Sequence, residues 1–248
     1  MSFWINVNRV IKESDLILVI LDSRMPALSM NREIFDKIKG YKKFMFIVFN
    51  KIDLIPQKDL IVLKKEYPDA FFVSVTKKNG IKFMKRSLLD FAHKNNIVTL
   101  KIGVVGYPNV GKSSIINSLS RYSKVKVSSV AGTTKGIQWI KSDTLKFLDT
   151  PGVIPYEDKS SKLGFLGAKN PEKLKEPYKV AFELLQMYLN KNKSILEKFY
   201  NLKFTDDVEE IFDAIGRKRG YLSKGGIVDE TKTAINIILD WQKGKIKI

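Results

Sequence analysis

Gly106-Tyr107-Pro108-Asn109-Val110-Gly111-Lys112-Ser113 is the stretch that decides the fold. It fits G-x-x-x-x-G-K-[ST]. The apolar run Leu100–Val105 precedes it, and a helical pattern over 113–120 follows it. Strand, glycine-rich turn and helix are the context a phosphate-binding loop requires. Inward-facing backbone N–H groups from Asn109 to Ser114 then cradle phosphate oxygens, and the helix N-terminus adds positive potential. Lys112 is placed to reach the β- and γ-phosphates, and the Ser113 hydroxyl to ligate Mg²⁺.

Outward from this loop, short apolar runs recur: 16–22, 44–50, 71–75 and 100–105. Each is rich in β-branched or aromatic residues, as strands buried on both faces of a parallel sheet are. Helical patterns lie between them at about 31–39, 58–66 and 80–94; in the last, Ile81, Met84, Leu88 and Phe91 repeat at helical spacing. The alternation predicts a doubly wound, mostly parallel α/β sheet. Strands near 137–140 and 145–148 are joined closely enough to pair antiparallel. Residues 156–170, rich in Gly, Lys and Ser and without a period, read as a mobile linker. Helical patterns at about 171–190, 193–201, 207–216 and 228–241 follow. The expected division is 1–155 α/β domain, 156–170 linker and 171–248 small all-helical domain.

Three further elements fall at predicted strand ends, where open α/β sheets bind ligands. Asp149-Thr150-Pro151-Gly152 offers a carboxylate for the Mg²⁺ shell and a Gly152 N–H for the γ-phosphate. Asn50-Lys51-Ile52-Asp53 offers Asp53 to guanine N1–H and N2–H₂, which adenine cannot supply; leaving that carboxylate unpaired makes rejection of adenine steep. The Lys51 stem suits the base plane, and backbone N–H groups of Ser74-Val75-Thr76 suit guanine O6. Taken singly, each is also a polar strand end.

The composition bounds the chemistry. The 248 residues hold no cysteine and one histidine, His93, which excludes disulfides, thiolate metal sites and multi-histidine metal sites within the chain. His93 reads as a surface or packing residue. Lys and Arg number 44 against 26 Asp and Glu, a net charge of +18. Residues 1–154 carry 26 basic and 12 acidic residues, a net of +14, so the positive field sits mainly on the α/β part. It points to a polyanion, nucleic acid before membrane; a merely solvated lysine-rich surface is the bland alternative. No apolar run reaches the ~18–20 residues of a spanning helix, and Met1–Asn6 does not read as a signal peptide, so a cytoplasmic location is expected.

The order of the elements is unusual. In an ordinary GTPase the phosphate loop comes first and the N-K-x-D element late. Here N-K-x-D at 50–53 and Ser74–Thr76 precede the phosphate loop at 106–113 and D-x-x-G at 149–152. This is a circular permutation. The chain resembles the circularly permuted ribosome-assembly GTPases of the YlqF/YawG family in Asp22-Ser23-Arg24-Met25-Pro26, Asn50–Asp53, Gly106–Ser114, Gly132-Thr133-Thr134-Lys135-Gly136-Ile137-Gln138-Trp139 and Asp149–Gly152. Arg219-Gly220 to Gly226 and Asp240-Trp241 to Gly244 extend the likeness into the C-terminal half.

The resemblance implies a GTP-hydrolysing switch, GTPase domain before helical domain, that assists large ribosomal subunit assembly by binding ribosomal RNA. It implies Thr134, with Thr133 the runner-up, as the switch threonine closing on Mg²⁺ and the γ-phosphate. It implies Asn109 as a holder of K⁺ near the phosphates, the alternative being a turn residue. With Lys112 and Gly152, Thr134 and Asn109 make up the expected catalytic set, and Ser113, Thr134 and Asp149 the Mg²⁺ set. Two departures stand out. Val153 follows D-T-P-G where many GTPases carry a water-orienting Gln, and no histidine precedes His93, whereas bacterial members carry one near the N-terminus. Slow intrinsic turnover, raised by an RNA partner, is therefore expected from a monomer. Two rival readings are a nucleotide-dependent RNA-binding module with negligible turnover and a phosphate-loop kinase; the latter leaves Asp53 without a role. Trp4 and Trp139 read as packing residues before base-stacking ones. Arg217-Lys218-Arg219 reads as a clamp for RNA phosphates or a solvated charge run.

Overall fold

The computed structural model describes residues 2–120, 138–142, 144–150, 152 and 160–248. The expectations for Thr133, Thr134, the loop 128–136, Val153 and residues 156–159 lie outside the described residues. The chain divides into two compact units, Met1–Tyr156 and Glu157–Ile248.

The first unit is built on a six-stranded sheet. Its elements are α1 (Ser2–Glu13), β1 (Leu16–Asp22), α2 (Pro26–Ser29), α3 (Arg32–Gly40), β2 (Phe44–Asn50), α4 (Gln57–Glu66), β3 (Phe71–Phe72), α5 (Ile81–Lys94), β4 (Leu100–Val105), α6 (Lys112–Leu119), β5 (Gln138–Ser142) and β6 (Leu145–Asp149). The strand order is β3-β2-β1-β4-β6-β5. All neighbours are parallel except β5 and β6, which pair antiparallel. The mostly parallel α/β sheet expected from the sequence is therefore present. β1 is buried along its whole length, because it is flanked by strands on both sides and its apolar side chains can leave water on both faces. One core cluster joins Ile17, Val19 and Leu21 of β1 with Val7, Val10 and Ile11 of α1 and Ile34 and Ile38 of α3.

Register sets the functional edge. Asp22 lies opposite Asn50, and Val104 lies opposite Asp149. The C-terminal ends of β1, β2, β4 and β6 are thus brought to one edge. The sequence runs outward from β1 to β2 and β3, then returns to place β4 on the other side of β1. The switch point between β1 and β4 is where such a sheet opens a crevice for a ligand.

The second unit is helical: α7 (Ser160–Phe165), α8 (Pro177–Tyr200), α9 (Val208–Lys218) and α10 (Glu230–Gln242). Asp207 and Asp229 cap the starts of α9 and α10 by accepting backbone N–H bonds from Glu209 and Lys232, satisfying donors that a helix start leaves open. The break expected between helices at 171–190 and 193–201 is present: α8 is interrupted at Asn192, whose backbone is extended, and its first part begins at Pro177 after a 3₁₀ turn at Pro171–Lys173. The Asn192 carboxamide oxygen accepts from the Ser194 backbone N–H and hydroxyl, so it recaps the second half from inside. The stretch read as a linker corrects that reading in part. Residues 160–165 are helical, and Phe165, Leu166 and Ala168 are buried. The Trp241 indole N–H donates to the Phe165 carbonyl at 2.8 Å. Six residues are too few to show a helical period, and a distant tryptophan supplies the apolar cover.

Candidate nucleotide site

β4 delivers the chain to Gly106, and the loop turns back through Asn109 (φ 59°) and Gly111 (φ 103°) into α6. Gly111 is required on two counts. Its left-handed backbone disfavours a side chain, and a Cβ there would strike the Asn50 carboxamide. Lys112, the first residue of α6, is only 6% exposed. Its ammonium donates to the Gly106 carbonyl at 3.0 Å and the Tyr107 carbonyl at 2.8 Å. It thus lies folded over the loop whose N–H groups would face phosphate. Burial pulls its pKa down to about 8, with the Asp149 charge opposing.

Ser113 and Asp149 meet. The Ser113 hydroxyl donates to Asp149 Oδ2 at 2.7 Å. Asp149 is fully buried, and its Oδ1 has no hydrogen-bond partner. Burial raises its pKa, while the Ser113 bond and the Lys112 charge pull the other way. A hydroxyl beside a buried, half-satisfied carboxylate is a hard oxygen pair that fits Mg²⁺, which takes few protein ligands when phosphates complete its shell. Thr150 anchors the same segment by donating from its hydroxyl to the Val104 carbonyl at 2.8 Å. Gly152 comes so close to Pro108 that a Cβ would overlap the Pro108 backbone. D-x-x-G therefore abuts the phosphate loop.

The base-side elements arrive from the other half of the sheet. The Asn50 amide donates to the Val110 carbonyl at 2.8 Å. Lys51 adopts a left-handed backbone (φ 65°) that opens a 3₁₀ turn, Ile52–Leu54, on which Asp53 sits half-buried. Next to it, Val73 N–H donates to the Phe49 carbonyl and Ile52 N–H to the Val73 carbonyl. Ser74 bridges to Asn79 and its hydroxyl accepts from Lys77 N–H, so Ser74-Val75-Thr76 forms a closed turn beside Asp53. The run read as a strand over 71–75 pairs only at Phe71–Phe72; from Ser74 its backbone bonds go into this turn instead.

Two charged residues escaped the site reading. Asp22 closes β1, and its carboxylate accepts from Arg24 and from the Lys51 ammonium, each at 2.8 Å. Burial alone would raise the Asp22 pKa, yet the Lys51 and Arg24 charges hold it well below the ordinary carboxylate value. The available signal was a polar residue at the end of a fully apolar run, the same signal that marks Asn50 and Asp149.

Other candidates fall away from this edge. His93 is exposed in the last turn of α5. Trp4 packs against the core cluster with the Lys37 ammonium over its ring, and Trp139 is 40% exposed on β5. Arg217 pairs with Asp213 and Arg219 with Asp240, so two of the three clustered cations have partners within their own unit. Among the described residues, no group of three or more His, Cys, Asp or Glu gathers to hold a metal, and no helix is long and apolar enough to cross a membrane.

The Gly106–Ser113 loop, the Ser113–Asp149 pair and the Asn50–Asp53 turn lie at one sheet edge, the arrangement of a phosphate-loop GTPase fold, here with its elements in permuted chain order. Residues 101–210 match the family described as 50S ribosome-binding GTPase. The chain is 41% identical over 247 residues to an uncharacterized GTP-binding protein of Methanocaldococcus jannaschii, covering 97% of this chain and 65% of that one. It is 31% identical over 255 residues to nucleolar GTP-binding protein 2 of Pneumocystis carinii, covering 98% and 52%. The chain thus spans about half to two thirds of the length of these relatives. In fold it is similar to GNP-bound YlqF from T. maritima, with TM-score 0.60, 21% identity, and coverage of 99% and 95%. In fold the chain is YlqF-like, with the elements of a GTPase fold in circularly permuted order.

Proposed function

We propose that the protein binds and hydrolyses GTP and uses the nucleotide state as a switch in assembly of the large ribosomal subunit, through contact with ribosomal RNA. The observation that carries the nucleotide reading is the Asn50–Val110 hydrogen bond, which fastens the base-reading turn to the phosphate loop. Asp53 selects guanine, the Lys51 stem lies along the base, and Ser74, Val75 and Thr76 meet O6. Asn109 to Ser114 bind the phosphates, with Lys112 turning from the loop carbonyls to the nucleotide. Ser113 and Asp149, joined by Thr134, hold Mg²⁺, which when bound neutralises phosphate charge. Gly152 N–H reports the γ-phosphate, and Asn109 is the candidate K⁺ holder.

The ribosomal part rests on other support. The relatives' names, nucleolar GTP-binding protein and 50S ribosome-binding GTPase, favour it, as does the +14 charge of residues 1–154. The helical domain is the proposed RNA-binding partner of the switch, and Lys218 is its most available cation in the 217–219 cluster. Calorimetric titration with GDP, GTP and ADP tests the site; equal affinity for ADP sinks the guanine assignment. Turnover with and without large ribosomal subunits tests the switch. Absence of stimulation alongside GTP-dependent RNA crosslinking would recast the protein as a binding module.

A further inference from the structure

We propose that Asp22 is a positioning residue for guanine recognition: it anchors the Lys51 ammonium, with Arg24 orienting its carboxylate, so that Lys51 presents only its apolar stem to the base. The inference rests on the reading of Asn50–Asp53 as the base-reading element.

The placement follows from register. Asp22 and Asn50 are paired residues on neighbouring strands, so the residue after Asn50 emerges beside the Asp22 carboxylate. Both carboxylate oxygens are used. Oδ1 accepts from the Arg24 backbone N–H at 3.0 Å and from Arg24 Nε at 3.1 Å. Oδ2 accepts from the second Arg24 nitrogen and from Lys51 Nζ, each at 2.8 Å. The fork grip of a guanidinium fixes the plane of a carboxylate, and here it aims Oδ2 at Lys51. The Asp22 and Arg24 side chains are 2% and 1% exposed and that of Lys51 is 19%. The anchor is therefore dry, and the lysine is the member that reaches the open edge. Asp53 also acts favourably on the Lys51 charge, so two acids balance two bases around this corner.

A free lysine has rotamer freedom that ligand binding must remove. A lysine already tethered by its ammonium meets the base preorganised. The tether also keeps that ammonium from swinging toward phosphates, which leaves phosphate binding to Lys112. Asp22 thereby tunes base affinity without touching the nucleotide.

A double-mutant cycle tests this, with GDP affinity measured by calorimetry for wild type, Asp22→Asn, Lys51→Met and the double variant. Lys51→Met keeps an apolar stem and removes the ammonium. Asp22→Asn is expected to weaken GDP binding by about tenfold, the scale of one charged hydrogen bond, in the Lys51 background and to have little effect in the Met background. Equal losses in both backgrounds would overturn the proposal, since a purely structural role of Asp22 does not depend on the lysine ammonium. If Asp22→Asn does not fold, Asp22→Glu keeps the charge and displaces the oxygens by one methylene. GDP affinity is then expected to fall in the Lys51 background alone, and an unchanged affinity would overturn the proposal. Failure of the wild type to prefer GDP over ADP would instead defeat the base-reading assignment itself.

Discussion

Asn50 and Val110 lie 60 residues apart in the chain, and the Asn50 amide donates to the Val110 carbonyl at 2.8 Å. The bond crosses from the end of β2 to the phosphate loop after β4, passing over the end of β1. It couples two parts of the candidate site whose order along the chain the permutation reverses. Asn50→Asp replaces the donor with an acceptor facing a carbonyl. A loss of about 1–3 kcal/mol in GDP affinity is expected, the cost of an unmade buried hydrogen bond. Calorimetry checks it, and an unchanged affinity would show that the two halves bind independently.

Asp53 is the residue proposed to carry the base selection. Asp53→Asn offers an amide donor where guanine presents N–H groups, and xanthine presents a carbonyl there instead. Affinity is expected to move from GDP toward XDP by at least about tenfold each way, the scale of leaving a site's polar groups mispaired. Competition of XDP against labelled GDP measures it.

Ser113 and Asp149 are predicted to act as one metal-binding pair. Ser113→Ala removes the donor to Asp149 Oδ2 and one candidate ligand together. That bond is one of the contacts that oppose the upward push of burial on the Asp149 carboxylate. The Mg²⁺-dependent part of GTP affinity is expected to vanish, while GDP binding in the presence of EDTA changes little. Parallel titrations with and without Mg²⁺ decide the matter.

Asp22 gives a pH signature in stability. Its folded pKa lies below the ordinary value of 3.8. Such a group contributes stability that is present above the unfolded pKa and lost as pH falls through the folded one. Asp22→Asn leaves Arg24 and Lys51 without their counter-charge, at a cost of about 3 kcal/mol near pH 7. Urea unfolding at stepped pH should show this gap constant above about pH 5 and narrowing below about pH 4, where the unfolded-state aspartate protonates. A gap that stays constant down to pH 3 would contradict the ion-pair account.

Trp241 tests the packing of residues 160–168. Trp241→Ala removes the donor to the Phe165 carbonyl and most of a side chain that is 1% exposed. A loss of about 3–5 kcal/mol is expected, read as a lowered urea midpoint. Trypsin cleavage at Lys162 should accelerate in parallel.

The sheet was legible because its strands are nearly unbroken apolar runs, and Leu16–Asp22 and Phe44–Asn50 were read to the residue. Phosphate-loop spacing made Lys112 and Ser113 readable for the same reason: the chemistry is local. What escaped depends on distant partners. The helix Ser160–Phe165 is too short to declare a period, and its cover comes from Trp241. The helix Ser2–Glu13 was passed over although Val7, Val10 and Ile11 stand at helical spacing, because three small apolar positions gain meaning only against α3 and β1. Asp22 and Arg24 were seen as part of a resemblance, and only the register of β1 with β2 shows that they meet Lys51.

The position of β1 at the centre of the sheet has a consequence for how the chain is made. Synthesis releases β1, β2 and β3 first, and these can pair among themselves. The other edge of β1 waits for β4, some 80 residues later, and until then a strand apolar from Leu16 to Leu21 has an open side. Such an edge invites association with other chains. One edge of β1 thus stays unpaired until residues 100–105 emerge, and the Gly106–Ser113 loop is made only after that edge can close.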